Sequence, residues 1–199
     1  MPTRATSRPS IGSRDRILNA AIARFSKNSY ERTGLRDIAA DAGVDVAYVH
    51  RCFGSKERLF SEALKASAHV AQHLEVPKDC LAGALANSVL SGRARRHQAL
   101  DIFIHSVSSA EAQPILRRFV LDHVIDPLSE RIEAPSTTRA ALVAALLVGT
   151  AIFRHVLRIK PMLETEAGEL EELIASAIQG AIATTDGEAM PEELESACQ

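Results

Sequence analysis

The stretch from Thr33 to Phe60, TGLRDIAADAGVDVAYVHRCFGSKERLF, constrains the fold more than any other part of the chain. Its glycines and capping residues divide it into three short helical pieces. Leu35, Ile38, Ala39 and Ala42 recur at helical spacing on the first piece. Gly43 follows, where a residue of positive φ can end a helix. Asp45 can cap the second piece, whose inward positions would be Val46, Val49 and Phe53. Gly54 breaks that piece, and Ser55 caps a third beginning Lys56-Glu57-Arg58-Leu59-Phe60. Two short helices around a tight Gly-containing turn make a helix-turn-helix pattern, which is used to read DNA.

The rest of the chain also reads as helix. Trp is absent and aromatic residues make up only 4%, so the core must be built from Ala, Leu, Ile and Val. That mixture favours helices over sheets. Ser13 to Lys27 carries a buried stripe of Ile17, Leu18, Ala21 and Phe25. After Phe60 the third piece is expected to run on to about Leu74, where Pro77 stops it, so that one long helix joins head and body. Further helices follow, up to Ile132. From Thr137 to Lys160 the chain is apolar nearly all round, which requires burial on most sides. A last helix after Thr165 repeats Leu170, Leu173, Ile174, Ala177, Ile178 and Ile182 at helical spacing. The expected division is a flexible basic arm (1–12), a helix-turn-helix domain (13–60), a helical body (61–184) and an acidic tail (185–199).

Charge is distributed unevenly along this plan. Residues 1–60 hold 11 Lys and Arg against 6 Asp and Glu, whereas residues 161–199 hold 10 acids and no base. A basic head on an acidic body fits a polyanion-binding end and a body that avoids polyanions. Three cysteines without metal-ligand spacing suit a reduced, cytoplasmic setting. The N-terminus lacks the apolar core of a secretory signal, and the uncharged run Ala140 to Phe153 reads as too short to span a bilayer, so no membrane role is expected. His69 and His73 stand four apart but have no third ligand at suitable spacing, so neither metal nor cofactor is expected. No G-x-S-x-G, H-E-x-x-H, G-x-G-x-x-G or P-loop pattern occurs, which argues against an enzyme.

Three motifs in register carry a resemblance to a known family. Arg14-Asp15-Arg16-Ile17-Leu18-Asn19-Ala20-Ala21 leads to Phe25, the segment Thr33 to Val44 follows, and Phe53 to Leu59 closes the set. Together they resemble the tetracycline-repressor-like (TetR) family of bacterial transcriptional regulators over about Arg14 to Leu64. The resemblance implies an all-α fold: an N-terminal three-helix helix-turn-helix DNA-binding domain, joined by a long helix to a C-terminal helical ligand-binding and dimerisation domain. It implies a non-enzymatic, ligand-responsive repressor that binds a palindromic double-stranded DNA operator as a homodimer.

On that reading Thr33 and Lys56 would serve the phosphate backbone, Arg36 would also contact DNA, and the helix after Asp45 would present Val46, Ala47, Tyr48 and Arg51 to base edges. Three positions depart from the family pattern. His50 stands where a Tyr is usual, and its imidazole can still donate to phosphate, more strongly when protonated. Asp45 replaces a Ser cap. Ser29 replaces a Gly, which would strain or reshape its turn. A pocket in the body would take a small apolar or amphipathic effector, with His69, Phe103, Phe119, His123 and Phe153 as lining candidates. The dimer surface would use Leu142, Ala145, Leu146, Gly149, Phe153, Leu173, Ile174 and Ile178. The alternative reading is an all-helical protein-interaction module without sequence-specific DNA binding.

Overall fold

A computed structural model describes residues 12–68, 74–91, 94–132 and 135–183, and among them every regular element is helical. The expected arm before Gly12, the His69 and His73 pair and the acidic tail lie outside the described residues.

The head is three helices and the start of a fourth. Helix α1 (Ser13–Phe25) buries Ile17, Ala21, Ile22 and Phe25. Helix α2 (Leu35–Ala42) ends at Gly43, whose φ of +63° is the left-handed cap its position requires. Helix α3 (Val46–Phe53) starts at Asp45, whose carboxylate accepts from the Ala47 N–H at 2.6 Å. Gly54, at φ +80°, turns the chain into helix α4 (Lys56–Ser67), which Ser55 caps by accepting from the Arg58 N–H. Ser29 brings no left-handed strain, because Arg158 is the one non-glycine residue of positive φ among those described. Tyr30 folds back as its apolar ring demands. It lies 5.0 Å from the Phe60 ring, which in turn meets Phe25 edge-on at 4.8 Å.

The long connecting helix is shorter than the sequence pattern suggests. Helix α4 ends at Ser67, and Ala68 is extended at φ −93° and ψ 117°. Helix α4 is therefore not one unbroken rod to Leu74. The head is instead held to the body by packing. Ile102, Ala112, Leu116 and Phe119 of the body complete the same core that contains Ile17, Phe25, Phe60 and Leu64 of the head.

The body contains helices α5 (Leu81–Leu90), α6 (Ala94–Ser106), α7 (Gln113–Val120), α8 (Asp126–Arg131), α9 (Thr137–Ala151), α10 (Lys160–Glu164) and α11 (Ala167–Ile182). A π-helical segment, Leu121–Ile125, joins α7 to α8 just before Pro127, whose missing N–H breaks regular bonding. A second, Ile152–Val156, extends α9. A separate core holds Leu81, Leu85, Leu128, Val143, Leu170, Ile174 and Ile178, because α11 lies against α5 and α9.

The α9 rod is longer than the uncharged run Ala140 to Phe153 within it. Thr137–Val156 spans 20 residues and reaches a mean hydropathy of 1.5 over its most apolar part, long and apolar enough to cross a membrane by length and composition, although the uncharged run within it is too short. Only 22% of its most apolar window is buried within the chain, so much of that surface remains to be covered.

Candidate functional site

Helix α3 divides cleanly into two faces. Val49 and Phe53 are buried and anchor it to the head, while Ala47, His50 and Arg51 are exposed and Val46 and Tyr48 half-exposed. The Arg51 guanidinium lies 5.3 Å from the centre of the Tyr48 ring, which supports it as a forward-reaching cation. The Asp45 carboxylate is occupied by the Ala47 N–H at the helix N-terminus, where the helix dipole favours it. His50 Nδ1 donates to the Gly54 carbonyl oxygen at 3.1 Å. That bond fixes the tautomer, so Nε2 can donate to an anion only in the doubly protonated ring.

Around α3 the cations are positioned by other elements. Lys56, in the first turn of α4, places its ammonium 4.1 Å from the Tyr30 ring centre. Arg36, in the first turn of α2, is exposed. Arg24 of α1 donates twice to the Asp41 carboxylate of α2, at 2.6 and 2.8 Å, and this bonding holds the Asp41 carboxyl below its usual range. Burial pushes the Tyr30 phenol up, and the neighbouring Glu57 charge adds to the effect.

Thr33 does not serve as its position in the motif implies. It is 1% exposed, its hydroxyl donates to the Ser29 carbonyl at 3.1 Å, and Gly34 is the N-cap residue of α2. With its one hydroxyl proton committed and its surface buried, Thr33 stabilises the turn and offers nothing to a phosphate.

The body carries an open cavity of about 470 Å³, within the range of small-molecule sites. Phe103 and Phe119 line it, as expected. His123 does not. It is exposed and packs against Phe119 from outside, with ring centres 5.4 Å apart. Phe153 is 51% exposed and also stands outside the lining, while His69 lies outside the described residues. The side chain that the π-helical extension of α9 contributes in their place is His155, whose Nε2 donates to the Val89 carbonyl at 2.8 Å. Helical register could have identified it. From the lining residue Ala144, Val148, Ala151 and His155 recur at spacings of four, three and four, whereas Phe153 falls about 180° away at 100° per residue.

The expected dimer surface is also redistributed. Leu142 and Leu173 are each 59% exposed, Phe153 and Ala145 are exposed, and Leu146 and Gly149 are half-buried. Ile174 and Ile178 are buried at 6% and 0% in the chain's own second core, so no partner can reach them. Their apolar stripe is covered by α5. No group of three or more His, Cys, Asp or Glu side chains suited to a metal occurs among the described residues.

Comparison with known proteins resolves the family. Residues 17–63 match the model for bacterial regulatory proteins of the tetR family, and residues 79–182 match the tetracyclin repressor-like C-terminal domain. The chain belongs to the TetR family. It is therefore a DNA-binding, ligand-responsive regulator and not an enzyme. A TetR-family regulator from Streptomyces coelicolor A3 is 26% identical, with 90% of this chain and 99% of that one covered at a TM-score of 0.57. NalD of Pseudomonas aeruginosa, the secondary repressor of the MexAB-OprM multidrug efflux pump, is 25% identical. It covers 81% of this chain and 94% of its own at a TM-score of 0.61. The multidrug binding protein EbrR complexed with ethidium shares the fold at 22% identity and a TM-score of 0.59, with 87% and 100% covered. No curated protein matches the sequence.

Proposed function

We propose that this TetR-family chain is a cytoplasmic repressor that binds a palindromic operator as a homodimer and releases it when an apolar or amphipathic effector enters the body cavity. The observation that carries this reading is α3 itself, a short helix anchored from behind by Val49 and Phe53 with Ala47 and Arg51 exposed in front. In the major groove Arg51 would bond a guanine edge, and Val46, Ala47 and Tyr48 would meet bases through apolar contact. Lys56, Arg36 and His50 would hold phosphates. One such helix reads only a few base pairs, so useful specificity needs two half-sites and a two-fold partner.

The partner surface is the exposed apolar face of α9 and α11, centred on Leu142, Leu173 and Phe153 with Ala145, Leu146 and Gly149 beside them. The cavity supports the effector reading because its volume and apolar walls suit a small organic molecule. EbrR, with the same fold, was crystallised with ethidium, which makes a ligand in the body of this chain reasonable.

Selection of bound sequences from random DNA tests the whole reading. A two-fold symmetric consensus is expected, with affinity falling steeply as salt rises. Lys56→Ala should weaken all sequences alike, and Arg51→Ala should relax base preference. Binding indifferent to salt, or a preference that survives Arg51→Ala, would remove α3 from the groove.

A further inference from the structure

Beside the apolar cavity lies a second recess of about 500 Å³ with a different character. The two share Leu100 and His155 in their walls. No Asp, Glu, Lys or Arg lines the first cavity among the described residues. The second recess brings Arg154 and Arg158 together against a single carboxylate, Asp101.

Arg158 is placed at some cost. Its φ is +51°, the left-handed region that favours glycine. The Ile159 N–H bonds the Phe153 carbonyl at 2.9 Å, so Arg158 occupies the position after a helix end that glycine ordinarily fills. An Arg there accepts backbone strain in return for a guanidinium at the rim of the recess. Among the described residues that guanidinium makes no ion pair, whereas the Arg154 side chain is anchored on the Met162 carbonyl.

We infer that the two recesses form one elongated site for an amphipathic anion, its apolar body in the first cavity and its acid group at the Arg154 and Arg158 rim. The inference rests on the effector reading of the same body and adds the charge of the ligand. A cationic aromatic of the ethidium kind finds no counter-charge among the described residues of the first cavity and two arginines at the second. A neutral apolar molecule gains the burial but not the ion pair. Asp101 weakens the surplus of positive charge without cancelling it, which leaves the selection for an anion modest at a partly exposed rim.

The test uses the full chain and one ten-carbon body in three charge states. The neutral fluorophore N-phenyl-1-naphthylamine reports on the cavity and is displaced by decanoate, decan-1-ol or decyltrimethylammonium. Decanoate should displace it at about fivefold lower concentration than decan-1-ol, with the cation weakest. Arg158→Gln should erase the preference for decanoate over decan-1-ol. Arg158→Gly should erase it too, without lowering the thermal midpoint, because glycine relieves the left-handed strain. A helix-capping role alone predicts no change in the displacement ratio.

Ala144→Phe, which fills the first cavity, should weaken decanoate; binding unchanged in that variant would place the ligand elsewhere and overturn the inference. So would equal displacement by decanoate and decan-1-ol in the wild type, or failure of the fluorophore to bind. DNA release, followed separately by anisotropy, distinguishes the two levels. Preferential decanoate binding that leaves DNA bound would sink the effector reading while the anion site stands. DNA release by both ligands together with equal displacement of the fluorophore would do the reverse.

Discussion

Phe119 belongs to two structures at once, and its removal is the sharpest probe of how they are joined. It is 9% exposed, it completes the head core with Leu116 and Ile102, and it lines the body cavity. Truncating a buried Phe to Ala costs about 3–5 kcal/mol in general. Here part of the ring already borders open space, so fewer neighbouring atoms lose a contact and the lower end, about 3 kcal/mol, is expected. For a chain of 199 residues that corresponds to roughly 6–12 °C in thermal midpoint.

The control is Leu85→Ala, a 4% exposed residue of the second core that does not line the cavity. Both variants would be melted by circular dichroism at one fixed protein concentration, since association stabilises the folded state. Operator affinity would be measured well below both midpoints. Both should melt early, but only Phe119→Ala should also change DNA affinity and the affinity of the naphthylamine probe. A midpoint shift under about 2 °C, or an identical DNA response in the two variants, would refute a wall shared by head and cavity.

Three other outcomes follow from the geometry. His50 is exposed on α3 with Nδ1 committed to the Gly54 carbonyl, so its ring is held facing outward. His50→Ala should weaken operator binding in anisotropy titrations, and an unchanged affinity would show that the imidazole does not touch DNA. Leu142→Glu and Leu173→Glu, at positions 59% exposed in the single chain, should give folded monomers in sedimentation that bind operator weakly; dimers that persist in both would move the interface elsewhere. The Asp41 carboxyl is lowered by the Arg24 hydrogen bonds, so its stabilising contribution is full above the ordinary Asp value of 3.8 and is lost as pH falls through the lowered one. The thermal midpoint of Arg24→Met should therefore approach that of the wild type as pH drops from about 6 to about 2, and a constant gap would contradict the pairing.

The head was legible in the sequence because its structure is written in local chemistry. Gly43 and Gly54 adopt the positive φ that only a turn of that kind needs, and Asp45 and Ser55 cap as side-chain oxygens at those positions do. The spacing of Val49 and Phe53 left Ala47, His50 and Arg51 facing outward. Where burial depended on distant partners, the sequence was ambiguous. Ile174 and Ile178 form an apolar stripe whatever covers it, and nothing local says that α5 does so before a second chain can. Thr33 carries a hydroxyl suited to phosphate, and only the folded turn shows that it donates instead to the Ser29 carbonyl. Helix α4 stops at Ser67 although Ala68 is a strong helix former, so local propensity does not account for its end.

That early stop at Ala68 bears on the form of the response. A single rigid rod from head to body would behave as a lever, turning any displacement of the body into a proportionate tilt of the recognition helix. With α4 ending at Ser67, the link is a close-packed interface through Ile102, Leu116 and Phe119. Close-packed interfaces settle into alternative arrangements and do not slide continuously. Partial filling of the cavity should then change the proportion of molecules that release DNA, and not the degree to which each one loosens.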